Sequence, residues 1–370
     1  MEENHMRNLL VAQSGGPTAA INATVAGVVS CAVLSGKVDH IYGAVNGIEG
    51  VLAEKFLDLG KKLDSAEKIS LLMQTPAAAL GSCRYKLGDP EENKEDFEEI
   101  LQIFRRHEIR YFIYIGGNDS MDTVDKMSKY CKENGVDDVF VVGAPKTIDN
   151  DVWGTEMTFG FQSAVDIATE VIDCIHTTAT SHGRIFIVEV MGHKVGWLNL
   201  YAGIAGGADI ILLPEIPYDI NEIAKVIEKR EQAGKRFSIL AVAEGAISKE
   251  EAKMKKKELK ALRASMPYPS ISYKIAKELE EVTGHEIRVT VPGHFQRGGS
   301  PCAYDRFLCT RFGAAAARLI KNEQYGFMVA LQNEKIVPVP LGEVAGKLKK
   351  VPVDSDIIEA AKEIGISFGD

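Results

Sequence analysis

The sequence predicts an α/β fold of the doubly wound type, and three observations carry that reading. The chain has 370 residues, enough for two domains at roughly 100–200 residues each, or for one large α/β unit. Asn8–Gln13, Tyr111–Ile115, Val139–Gly143, Ile185–Val190 and Phe237–Ala243 are short apolar runs. They are continuous rather than alternating, as expected of parallel strands covered on both faces. Amphipathic stretches lie between them. Met121, Val124, Met127 and Cys131 form one apolar stripe over Met121–Glu133, and Phe161–Thr178, Asn221–Arg230 and Arg306–Lys321 read the same way. Strand–helix alternation of this kind builds a doubly wound sheet.

Composition narrows the class. Hydrophobic residues make up 45% and charged residues 26%, so the chain can bury a full core and is not disordered. The formal net charge of −9 disfavours nucleic acid and anionic membranes as partners. No apolar run reaches the roughly 18 residues of a transmembrane helix. Met1-Glu2-Glu3-Asn4-His5 has neither the basic nor the apolar part of a signal peptide. The 6 cysteines lack metal-site or disulfide-framework spacing. The expectation is a soluble, cytoplasmic protein. Lys249–Arg263 is a charge run that reads as a solvated helix or mobile excursion, with phosphate binding by its lysines as the alternative.

Ligands of parallel α/β sheets bind beyond the carboxyl ends of the strands. Those ends carry Ser14-Gly15-Gly16-Pro17-Thr18, Gly116-Gly117-Asn118-Asp119-Ser120, Lys146-Thr147-Ile148-Asp149-Asn150-Asp151, Met191-Gly192-His193-Lys194 and Glu244-Gly245. Glycine lets a backbone approach an anion closely, and helix N-termini offer it free N–H groups. Two Gly-Gly turns, with a lysine and two aspartates on a third turn, point to a phosphate and Mg²⁺ site. Neither GxGxxG nor GxxxxGK[ST] occurs, which argues against Rossmann dehydrogenases and P-loop NTPases. Arg184, Arg288, His294 and Arg297 sit beside further glycine turns. Guanidinium groups suit bidentate phosphate recognition, so an anionic substrate is expected.

The motifs SGGPTAAIN, GGNDS, PKTIDND, TSHGR, VEVMG, AEG and GHFQRGGSP, in this order, resemble the phosphofructokinase family over about Arg7 to Arg311. The resemblance implies two doubly wound parallel-sheet domains with the active site between them. Residues 1–160 with about 296–345 would form the phosphoryl-donor domain, and 161–295 with about 346–370 the sugar-phosphate domain. It further implies phosphoryl transfer to the C1 hydroxyl of fructose 6-phosphate, with Mg²⁺, in a homodimer or homotetramer. Asp149 would be the catalytic base, with Lys146, Thr147 and Arg184 as further catalytic groups. Taken singly, Asp149 reads as a turn or helix-cap aspartate.

By the same matches Gly15, Gly16, Arg84, Gly117, Asp119, Ser120 and Lys146 would bind the donor. Thr147, Asp149, Asp151, Arg184, Met191, Gly192, Glu244, Arg288, His294 and Arg297 would bind the sugar phosphate. Arg184 and Arg288 are expected to reach a neighbouring subunit's site. Asn118, Asp119 and Asp151 would hold the metal. Asn118 stands where the family usually has Asp, and His193 where it has Arg; sedoheptulose 7-phosphate becomes a second candidate acceptor. The branch resembled most is the one that uses pyrophosphate. There Asp119 would fill the space of an α-phosphate and Lys146 would attract the short donor. The expected reaction therefore turns pyrophosphate and fructose 6-phosphate into fructose 1,6-bisphosphate and phosphate, reversibly. An ATP-dependent 6-phosphofructokinase and a non-catalytic sugar-phosphate sensor are the alternatives.

Overall fold

The computed structural model describes residues 7–18 and 20–370. The Met1–His5 leader reading and Ala19 of the first glycine motif lie outside the described residues. The strands, in chain order, are β1 (Asn8–Gln13), β2 (Ile41–Ala44), β3 (Phe56–Asp58), β4 (Ile109–Gly116), β5 (Phe140–Thr147), β6 (Phe159–Gly160), β7 (Ile185–Val190), β8 (Ile210–Leu212), β9 (Ser238–Ala243), β10 (Ile287–Thr290), β11 (Phe327–Gln332) and β12 (Lys335–Pro340). Two units result: residues 7–163 with 297–349, and residues 164–296 with 350–370.

The first unit holds a mixed sheet in the order β12-β11-β5-β4-β1-β2-β3, with β6 added to β5. Its interior pairs are parallel, and only the edge strands β3 and β12 run antiparallel. Every residue of β1 is buried, which is why its sequence shows no alternation. β12 carries Pro338 and Pro340, and an edge position tolerates residues that cannot donate to a ladder. Helices Ile21–Val33 and Ala303–Lys321 cross at backbone contact. A Cβ on Gly27 would stand 2.6 Å from the Thr310 carbonyl oxygen, and one on Gly313 would stand 2.1 Å from that of Thr24. Only glycine allows this approach.

The second unit holds a wholly parallel sheet, β10-β7-β9-β8. Its core joins Ile187, Leu240 and Leu212 to Ile223 and Ile227 of helix Ile220–Gln232, and to Ile275 and Leu279 of helix Ile271–Thr283. The α/β class and the parallel sheets expected from the sequence are therefore present.

Three local expectations change. β5 runs on to Thr147 rather than stopping at Gly143, because β4 pairs with Ala144 and Pro145 and β6 then pairs Lys146 with Phe159 and Thr147 with Gly160. The helical stretch expected over Phe161–Thr178 runs on to His182, so Thr180-Ser181-His182 is the last turn of helix Phe161–His182. The charge run is not uniformly solvated. Glu251 is buried and accepts from Arg263 Nη2 at 2.8 Å, Lys274 Nζ at 3.0 Å and the Ser248 N–H at 3.0 Å. Burial opposes its ionisation, yet these partners outweigh it and hold the carboxyl below its ordinary range. No described helix is long and apolar enough to cross a membrane.

Candidate functional site

In the first unit three adjacent strand ends and one returning turn converge. The Gly15–Gly16 turn leaves β1, and Gly15 adopts φ +78°, a conformation that favours glycine. The Gly15 N–H donates to the Cys83 carbonyl at 3.1 Å, and the Ser14 N–H to that of Ile115 at 2.9 Å. Ser82 Oγ donates back to the Gly15 carbonyl. These bonds bring the segment that carries Arg84 against the glycine turn. Asn22 supports it from helix Ile21–Val33: its Nδ2 donates to the Thr75 and Ala77 carbonyls, both at 2.8 Å, and its Oδ1 accepts the Ala79 N–H at 2.8 Å. The sequence motif contained Asn22 but gave no sign of this anchoring role.

Cations flank the turn on two sides. Lys146, at the end of β5, is 3% exposed and donates its Nζ to the Gly16 carbonyl at 2.6 Å. A Cβ on Gly15 would lie 3.0 Å from that Nζ, and one on Gly16 would lie 3.2 Å from Arg297 Cζ. Burial pushes the Lys146 ammonium down to about 8; Arg297 and Arg84 add to the shift, and Asp149 and Asp151 oppose it. Three cations at a glycine turn make a site for phosphate oxygens, whose charge would restore the ammonium.

Helix Asn118–Glu133 starts at Asn118, behind Gly117 as its N-cap, rather than at Met121, so Asn118, Asp119 and Ser120 form its first turn. Ser120 Oγ donates to Ser14 Oγ at 3.0 Å. Asn118 Nδ2 donates to the Asp151 carbonyl at 3.3 Å. In the loop after β5 the Asp149 N–H donates to Thr147 Oγ1 at 3.0 Å, and Asn150 takes φ +52°. The Asn150 side chain fixes that turn: its Oδ1 accepts the Thr158 N–H at 3.0 Å and its Nδ2 donates to the Glu156 carbonyl at 3.3 Å. Asp149 and Asp151 thus flank a pinned turn beside Lys146.

The proposed metal trio does not assemble. Asp119 is 57% exposed and pairs with Lys86 at 2.9 Å. Asn118 and Asp151 do meet. This donor set fits Mg²⁺ carried on phosphates, which needs only one or two protein oxygens.

In the second unit the substrate residues fall at opposite ends of the sheet. Met191 and Gly192 follow β7 and Glu244 follows β9; the Glu244 N–H donates to the Val190 carbonyl at 3.0 Å. A Cβ on Gly245 would stand 2.1 Å from the His193 carbonyl oxygen, so the two turns touch through their backbones. Gln296, which the sequence did not single out, accepts the Met191 N–H at 3.1 Å and donates to the Gly293 carbonyl at 3.1 Å. It thereby ties the end of β7 to the 3₁₀ turn Gly293–Arg297, which carries His294. Arg184 precedes β7, and Arg288 of β10 registers with Phe186 and pairs with Glu286. About 3.3 Å per residue along β7 separates Arg184 from Met191 by roughly 23 Å. One chain does not bring these two arginines to the ligand that Met191 and Glu244 would touch.

A family model for phosphofructokinase matches residues 8–320. A protein of Spirochaeta thermophila named ATP-dependent 6-phosphofructokinase is 43% identical over 100% of both chains. ATP-dependent 6-phosphofructokinase 3 of Bacteroides thetaiotaomicron is 41% identical over 96% of this chain and 98% of its own. Among solved structures, a pyrophosphate-dependent phosphofructokinase of Nitrosospira multiformis superposes with a TM-score of 0.83 at 27% identity, over 99% of this chain and 93% of that one.

The expectation of pyrophosphate as donor is overturned by the full-length relatives, which bear ATP-dependent names. Neither side chain behind that expectation selects the short donor. Asp119 is turned to solvent and neutralised by Lys86, so it neither fills a buried space nor presents uncompensated negative charge. Lys146 stands at the glycine turn through the Gly16 carbonyl, where its charge would meet the phosphates of either donor and so does not select the short one. The family match over most of the chain, with relatives aligned end to end, leads to one conclusion: the chain belongs to the phosphofructokinase family, phosphotransferases that act on fructose 6-phosphate.

Proposed function

We propose that the protein is an ATP-dependent 6-phosphofructokinase. It transfers the terminal phosphoryl group of ATP to the C1 hydroxyl of fructose 6-phosphate, giving fructose 1,6-bisphosphate and ADP. The observation that carries this reading is the Gly15–Gly16 turn between Lys146 and Arg297, in a chain whose full-length relatives are named for ATP. The turn and its cations, with Arg84, hold the β- and γ-phosphates, and Gly117 and Ser120 shape the neighbouring helix start. Asp149 takes the hydroxyl proton as the C1 oxygen bonds to the γ-phosphorus. The bond from that phosphorus to the β–γ bridging oxygen breaks, and ADP carries away the electron pair. Asp151 and Asn118 would hold Mg²⁺, which would supply charge neutralisation to the phosphates. Thr147 orients Asp149 through the hydrogen bond to its N–H.

Residues 7–163 with 297–349 would serve the donor, and 164–296 with 350–370 the sugar phosphate. Met191, Gly192, Glu244 and His294 hold the sugar. Arg184 and Arg288 belong to a neighbouring copy's site, since one sheet holds them far from Met191. The protein is then a homodimer or homotetramer of the cytoplasm. The test is an assay of fructose 1,6-bisphosphate formation with Mg²⁺ and either ATP or pyrophosphate. Turnover with ATP is expected; a protein that turns over fructose 6-phosphate without accepting ATP refutes the reading.

A further inference from the structure

Lys349 belongs to a basic stretch, Lys347-Leu348-Lys349-Lys350, that looks like ordinary surface. The structure places its side chain under the loop that bears Asp149 and Asp151. Leu348 forms an antiparallel bridge with Val152, and the Lys349 N–H donates to the Asp151 carbonyl at 2.9 Å. Its Nζ donates to Asn150 Oδ1 at 2.8 Å and to the Thr155 and Glu156 carbonyls, both at 2.9 Å. An ammonium has three protons to give, and three acceptors receive them. The shared acceptor is the Asn150 side chain, which also holds the Thr158 N–H.

Asn150 is the left-handed residue between the two aspartates. A left-handed residue that is not glycine keeps its conformation where its surroundings hold it, and here Lys349 and the Thr158 N–H both hold the Asn150 side chain. Without the ammonium, Asn150 Oδ1 and two carbonyls lose a charge-assisted donor, and the turn is freer to relax. Relaxation would re-aim the peptides on either side, 149 and 151. Burial pushes the Lys349 ammonium down to about 7, against the support of Asp151 and Glu156.

We propose that Lys349 is a positioning residue: its ammonium locks the Asn150 turn and thereby sets the aim of Asp149 at the acceptor hydroxyl. This rests on the reading of Asp149 as the base.

A kinetic double-mutant cycle tests it with ATP, Mg²⁺ and fructose 6-phosphate. Lys349→Met is expected to lower kcat by about 10–10²-fold, with both KM values within about threefold, since misaiming a base by an ångström has costs of this order. In the Asp149→Ala background the same substitution is expected to cost less than about threefold, because the group it aims is gone. The proposal is overturned if Lys349→Met leaves kcat within threefold of wild type, or if it multiplies the same loss in both backgrounds, as a purely structural role would. Should Lys349→Met fail to fold, Lys349→Gln carries the same comparison. It keeps an N–H donor without the charge, and is expected to lower kcat about 3–10-fold with the same loss of effect beside Asp149→Ala; equal losses in both backgrounds overturn the proposal again. If Asp149→Ala alone leaves kcat unchanged, the assignment of the base has failed, a result read independently of Lys349.

Discussion

Raising the pH should weaken ATP use and strengthen the fold through one side chain. Lys146 is buried beneath the glycine turn, and its ammonium is pushed down to about 8 by that burial and by Arg297. An unfolded lysine titrates near about 10.4. Between about pH 8 and 10.4 the unfolded chain therefore binds more protons at this position, and linkage makes stability rise with pH across that window. From about pH 7 to about pH 9.5 the protonated fraction of Lys146 in the free enzyme falls from about 90% to about 3%. If only the ammonium receives phosphates, kcat/KM for ATP falls about 30-fold over that range, since this parameter reports the free enzyme. Over the same range the wild type gains about 2 kcal/mol of stability relative to a variant without the titrating group. The assay is the ratio of wild type to Lys146→Met at each pH, for kcat/KM and for the midpoint of denaturant unfolding. The ratio cancels Lys349, which also titrates near neutrality. Parallel profiles for the two proteins, in either measurement, would refute the assignment of charge and burial to Lys146.

Two further outcomes are expected. Asp149→Ala should lower kcat by about 10²–10⁴-fold with little change in either KM, the range for loss of a general base; more than about a tenth of wild-type turnover in steady-state assays removes Asp149 from that role. Gly15→Ala should destabilise by at least about 1–2 kcal/mol, because alanine resists φ +78°. It should also raise KM for ATP by crowding the Lys146 Nζ at 3.0 Å, whereas Gly16→Ala bears no left-handed strain and should lose less stability; equal unfolding midpoints for the two variants would contradict this account.

The parts of the fold legible in the sequence are those whose physics is local or repetitive. β1, β4, β7 and β9 are apolar without alternation because both of their faces are covered. The stripe of Met121, Val124, Met127 and Cys131 is buried as its spacing requires. β8 has three residues, too few to show a period. β12 carries prolines that read as loop, and only its place at the sheet edge makes it a strand. β5 outran its apolar run because a partner, β6, continued its ladder, which no window over β5 contains.

The candidate site divides along the same line. Residue types and strand ends marked Gly15, Gly16, Lys146, Asp149 and Asp151, since anion chemistry demands glycine and cations there. Where a side chain points is another matter. A carboxylate in the first turn of a helix is favoured by the free N–H groups and equally by any ammonium in reach; for Asp119 the choice falls to Lys86, in a segment with no periodic signal. Lys146 reaches the glycine turn through the Gly16 oxygen brought over by β1, where its charge would serve the phosphates of either donor. A donor preference inferred from those two residue types assumed the pose of Asp119, so it failed at the step that tertiary contacts control. Lys349 is the converse. Its place under the Asn150 turn follows from Leu348 bridging Val152, a pairing between positions nearly two hundred residues apart, and nothing in a lysine-rich stretch separates this half-buried side chain from its exposed neighbours.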